Sequence, residues 1–121
     1  VFYHEYALAK LQTDGYRMAV CSNSVRASIE VMMERANLQK YLDFIMSAQD
    51  VCNGKPDPEI YCASISRLEL KPEECLILED NENGIKAAIA SGAHLMKIRS
   101  VEDVNYQHIK RRISEIEGRS C

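Results

Sequence analysis

Four short, continuous apolar runs alternate with longer stretches whose apolar residues recur at helical spacing. This alternation constrains the fold more than any other feature of the chain. The runs are RMAVCS (17–22), DFIMSA (43–48), CLILE (75–79) and HLMKIR (94–99). Each is short and bounded by turn residues, as a strand covered on both faces should be. Residues 1 to about 13 read as a helix with Phe2, Tyr6, Leu8 or Ala9, and Leu11 on its apolar face, stopped by Asp14-Gly15. A second helix is predicted over about 25–36, capped by Asn23-Ser24, with Ile29, Met32, Met33 and Ala36 inward. Leu38 to Leu42 reads as a short connecting turn or helix. A third helix runs to about 68 on Ile60, Tyr61, Ala63, Ser64, Ile65 and Leu68, with Asp57 as its cap and Pro58 at its first position. The fourth covers about 82–91 and closes on Gly92. The fifth covers about 103–116 on Tyr106, Ile109, Ile113 and Ile116.

The predicted order, α-β-α-β-α-β-α-β-α, implies an α/β fold with a mostly parallel, doubly wound sheet between two helical layers. At 121 residues the chain is read as one domain, 1–121. The net charge of -3 gives no general attraction to nucleic acid or anionic lipid. No apolar run reaches the roughly 18 residues of a membrane span, and no signal-peptide pattern is visible, so a cytoplasmic setting is expected. Five cysteines, an odd number without a CxxC pair, argue against a disulfide framework or a zinc site. His4, His94 and His108 show no metal-ligand spacing. Ile116-Glu117-Gly118-Arg119 matches a factor Xa cleavage site, so residues 116–121 are set aside as an engineered scar or a chance match.

In a sheet of this kind ligands bind beyond the carboxyl ends of the strands. The first strand delivers Ser22, Asn23 and Ser24 at a helix N-terminus, a hydroxyl beside free backbone N–H groups. The second leads to Gly54-Lys55-Pro56, a cation on a short, stiff loop. The third delivers Glu79 and Asp80. Adjacent carboxylates repel unless a cation joins them, and carboxylates beside phosphate are what magnesium prefers. Each feature alone has an ordinary reading: a cap for Ser22 to Ser24 or for Asp80, a solvated lysine for Lys55. Together, each after a strand, they describe a Mg2+-assisted phosphate site.

VCSNS (20–24), GKPDPEIY (54–61) and LILEDNENGIKAAIASGA (76–93) resemble the second, third and fourth motifs of the haloacid dehalogenase (HAD) superfamily, particularly its β-phosphoglucomutase-like branch. The resemblance covers about residues 15 to 100. It implies a Rossmann-like core and phosphoryl transfer to or from a small phosphorylated metabolite, such as a sugar phosphate. Phosphatase-type hydrolysis is favoured, with phosphomutase as the alternative. It implies that Ser22 and Asn23 contact the transferring phosphoryl group, that Lys55 neutralises its charge, and that Asp80 binds Mg2+ with Glu79 as ligand or support.

One motif of that family is not among these residues. The nucleophile and the acid/base of the family lie in DxDx[TV]. None of Asp14, Asp43, Asp50, Asp57, Asp80 and Asp103 lies in a DxD. The family's helical cap has no counterpart either, so residues 1–14 are expected to be the helix returning from it. By the resemblance, the nucleophile strand would lie centrally, between 17–22 and 75–79. Its loss would remove buried side chains worth about 1.5–3 kcal/mol each, against a whole-domain stability of about 5–15 kcal/mol. The chain alone is therefore expected to be inactive and marginal, or completed by a second chain, a swapped segment or direct pairing of the flanking strands. A non-catalytic binding or regulatory module is the second reading. A receiver-like domain is the third, disfavoured because it would need a phosphoacceptor Asp at a strand end with an acid pair near its start, and the only strand-end acid pair is Glu79-Asp80.

Overall fold

The computed structural model describes residues 2–118. Arg119 to Cys121, the end of the stretch set aside above, lie outside the described residues. The element order is the predicted one: α1 (Phe2–Thr13), β1 (Ala19–Cys21), α2 (Arg26–Arg35), β2 (Phe44–Met46), α3 (Glu59–Arg67), β3 (Leu76–Glu79), α4 (Glu82–Ser91), β4 (His94–Lys97) and α5 (Tyr106–Glu117). Short 3-10 turns at Gln39–Tyr41, Ala48–Asp50, Pro72–Glu74 and Val101–Asp103 connect them.

The strands pair as two parallel couples. β1 lies beside β2 with Val20 opposite Ile45, and β3 lies beside β4 with Ile77 opposite Leu95. The strands are shorter than the apolar runs, yet flanking bonds such as Ser22 N–H to Met46 O (3.0 Å) and Ile98 N–H to Glu79 O (2.8 Å) carry each ladder one residue further. β1 and β3 do not pair, so direct pairing of the flanking strands is not how this chain closes its sheet. α3 joins the two halves instead. Its Ile60 and Tyr61 enter one core cluster with Met46 of β2, Ile77 of β3, and Ala87 and Ala88 of α4, while Cys21 of β1 packs against that cluster. The architecture is α/β and Rossmann-like, with the strands resolved into two couples.

Several helix starts differ from the sequence reading. Val25, not Asn23-Ser24, stands at the start of α2 and offers no side-chain cap. Gln49 Oε1 accepts the Arg26 N–H instead (2.8 Å), because Asn23 is occupied elsewhere. Pro58 lies at the cap position of α3 rather than inside it, while Asp57 Oδ1 accepts the Glu59 N–H (2.9 Å). Asn81 caps α4 by accepting the Gly84 N–H (2.8 Å), so the ordinary alternative of Asp80 as a cap does not apply. α5 starts at Tyr106, capped by Asn105, because 101–103 wind into a separate 3-10 turn.

Two residues predicted to face inward do not. Tyr6 is 58% exposed and meets Tyr106 edge to face. Met32 is 56% exposed, since Ile29 is the buried residue of α2. No helix among the described residues is long and apolar enough to cross a membrane.

Candidate functional site

β1 and β3 both end at one edge, and the loop after β2 crosses that edge as Gly54-Lys55-Pro56. The loop is fixed from two sides. Glu59, in the first turn of α3, accepts the Cys52 and Asn53 N–H groups (2.9 and 3.0 Å). Those two bonds hold the Glu59 carboxyl below the ordinary carboxylate range. Asn23 reaches over from the end of β1. Its Oδ1 accepts the Lys55 N–H (3.0 Å) and its Nδ2 donates to Lys55 O (3.3 Å). A side chain on Gly54 would collide with this amide, since a β-carbon there would lie 2.8 Å from Asn23 Oδ1. Asn23, expected to touch phosphate, thus spends its side chain on the backbone of Lys55. The peptide Lys55-Pro56 is cis.

The Lys55 side chain runs inward along the sheet edge and is only 10% exposed. Its Nζ donates to Cys21 O (2.9 Å) and to Glu79 Oε2 (2.6 Å), which leaves one of three N–H bonds for a ligand. The Tyr61 ring lies 5.0 Å from the ammonium, within cation–π range. Tyr61 also donates its hydroxyl to Glu79 Oε2, so one carboxylate oxygen serves two donors. Burial, then the hydrogen bond and charge of Glu79, push the Tyr61 phenol far above its ordinary range. It therefore remains protonated and acts as a donor.

Glu79 and Asp80 part company at the strand end. Successive side chains of a strand point to opposite faces, and Glu79 (6% exposed) turns in beneath Lys55 while Asp80 faces solvent. The pair is thus relieved by the Lys55 ammonium, whereas the sequence reading placed a cation between the two acids. Glu79 Oε1 rests against the first turn of α4, where a β-carbon on Gly84 would stand 1.9 Å away. Asp80 makes only a long contact with Asn81 Nδ2 (3.4 Å) among the described residues. Ser22 Oγ accepts the Ser24 N–H (3.1 Å), leaving its O–H to donate. Ser22, Lys55 and Asp80 thus end on the same edge, with Asn23 and Glu79 fixing Lys55 from above and below.

The donor set suits a hard cation in part. Magnesium takes one or two carboxylates and keeps several waters, and exposed Asp80 offers one, whereas Glu79 has Oε2 taken by Lys55 and Tyr61 and Oε1 packed against Gly84. Among the described residues no group of three acids, histidines or cysteines converges. A shallow, open depression of about 270 Å³ lined by Lys97, Arg99, His108 and Arg111 lies along β4 and α5, away from this edge.

Tyr61 was read from the sequence as a core residue only. The available signal was its hydroxyl on a buried helix face, since a buried phenol needs an acceptor.

The family model described as haloacid dehalogenase-like hydrolase matches residues 4–98. A phosphorylated carbohydrates phosphatase of Thermotoga maritima is 33% identical over 86 residues, 71% of this chain and 40% of its own length. A fructose-1-phosphate phosphatase of Escherichia coli is 32% identical over 82 residues, 68% of this chain and 44% of its own. A solved Thermotoga maritima structure, provisionally assigned as a beta-phosphoglucomutase, superposes with a TM-score of 0.76 at 29% identity. That match covers 82% of this chain and 47% of that one. The chain spans less than half the length of these relatives.

Proposed function

Because this chain belongs to the haloacid dehalogenase-like hydrolases, we propose that its β1–β3 edge is one part of a Mg2+-dependent phosphoryl-transfer centre of phosphatase type. The substrate class is a small phosphomonoester such as a sugar phosphate, met in the cytoplasm, with no role for nucleic acid or membrane. The observation that carries the reading is the Lys55 ammonium, held by Glu79 and by the carbonyl of Cys21, the residue before Ser22, with one N–H left. The names of the matched relatives, phosphatases of phosphorylated sugars, support the substrate class. The β-phosphoglucomutase-like neighbour favours phosphomutase as the second reading.

The chemistry assigns each group a task. Ser22 O–H and Lys55 N–H donate to the oxygens of the transferring phosphoryl group, where negative charge must be met. Asn23 sets the height of the Lys55 backbone. Asp80 would hold Mg2+, which neutralises phosphate charge when bound, with Glu79 in support through Lys55. The nucleophile is an aspartate of a DxDx[TV] strand that these 121 residues do not include. That β1 and β3 do not pair supports a strand between them, from a further segment, a second chain or a swapped strand.

The test uses p-nitrophenyl phosphate and inorganic phosphate with Mg2+. The chain should bind phosphate, bind it more weakly as Asp80→Ala or Lys55→Met, and show no turnover above the Asp80→Ala background. Turnover that depends on Asp80 would show that the nucleophile lies within these residues. Phosphate binding indifferent to both substitutions would sink the site.

A further inference from the structure

We propose that Tyr61 is a positioning residue of this phosphate site. Its hydroxyl fixes the Glu79 carboxylate, and that carboxylate sets where the Lys55 ammonium presents its remaining N–H. The inference rests on the phosphate reading of Lys55 given above.

The Glu79 carboxylate is a swivelling group by nature, because its terminal torsion is broad. Here it is stopped from both ends. Oε1 lies against the bare α-carbon of Gly84, and Oε2 takes the Tyr61 hydroxyl. Lys55 Nζ then finds Oε2 at 2.6 Å on one side and Cys21 O at 2.9 Å on the other. An ammonium has tetrahedral N–H directions, so two fixed acceptors determine the third direction. Tyr61 thereby controls the aim of a group it does not itself bond.

A phenylalanine would satisfy the packing equally well. The Tyr61 ring sits in the core cluster with Ile60, Ile77 and Ala87, and its face already lies near the ammonium. What phenylalanine lacks is the donor. The hydroxyl therefore has a use beyond filling space, and Tyr61→Phe isolates it.

The experiment is a titration of inorganic phosphate into the 15N-labelled chain, followed by NMR at the Ser22, Ser24 and Lys55 amides. Tyr61→Phe should weaken phosphate binding roughly tenfold, the scale of one lost hydrogen bond to a charged group. Ile60→Val, a packing loss on the same helix, should lower the melting temperature and leave phosphate affinity unchanged. If Lys55→Met abolishes binding while Tyr61→Phe binds like the unsubstituted chain, the positioning role is wrong and the Lys55 reading survives. Equal weakening by Ile60→Val would make the effect structural and overturn the role too. If the unsubstituted chain does not bind phosphate, the site reading fails and takes this inference with it. Should Tyr61→Phe not fold, 3-fluorotyrosine at this position keeps ring and hydroxyl but strengthens the donor. It should shift the Lys55 ammonium 15N resonance, and an unmoved resonance would refute the linkage.

Discussion

Gly84 is the floor on which Glu79 rests: a β-carbon at Gly84 would stand 1.9 Å from Oε1 and 2.2 Å from Cδ of that carboxylate. A glycine in the first turn of a helix is ordinarily a weakness, costing about 1 kcal/mol relative to alanine. Here Gly84→Ala should lower stability despite its better helix propensity, because Glu79 must leave its place beneath Lys55. Urea denaturation decides between the two effects. A rise in the midpoint would mean that Glu79 does not lie there.

Lys55 and Glu79 form a buried pair, and such pairs are sensitive to losing one member. Removing a single partner leaves an uncompensated charge and typically costs about 3–5 kcal/mol. Lys55→Met and Glu79→Gln should each destabilise on that scale, and the double variant should recover much of the loss. Chemical denaturation of the four proteins gives the coupling. Additive losses would show that the pair contributes little.

Acid should loosen the loop that carries Lys55. Asp50 is held low by the Ser47 N–H, and Glu59 by the N–H groups of Cys52 and Asn53. A folded-state value below the unfolded one contributes stability at neutral pH, and that contribution is lost as pH falls through the folded value. Stability should therefore drop below about pH 4. Glu59→Gln should shrink the difference between pH 7 and pH 3, measured as the shift in urea midpoint. An unchanged difference would remove Glu59 from the linkage.

The cysteines should divide by environment. Burial raises the Cys21 thiol, only partly offset by its bond with Ser64 and the charge of Lys55, and burial with Glu74 raises Cys75. Cys52 and Cys62 are exposed. Iodoacetamide at pH 7.5 should label Cys52 and Cys62 well before Cys21, as read by peptide mass spectrometry. Early labelling of Cys21 would mean that β1 is open to solvent.

The α/β order was legible because each strand is an apolar run between turn residues and each helix has its own periodicity. The positions of Ser22, Lys55 and Asp80 were legible because they follow strand ends. The use of Asn23 on Lys55, 32 residues away, was not. Nor was the inward turn of Glu79 toward Lys55, 24 residues away. Such contacts arise when loops from different strands meet, and they leave no local pattern. The helix starts slipped for a related reason. Asn23 was committed to another segment, so Val25 stands at the start of α2.

Each strand couple closes within a contiguous stretch of chain, 19–46 for one and 76–97 for the other, and α3 is the piece between them. Neither couple waits for a distant strand to arrive before its hydrogen bonds can form. Loop closure is therefore short for both, which favours rapid, sequence-local assembly. Two separately protected units joined at a helical seam is the pattern this topology writes into amide exchange.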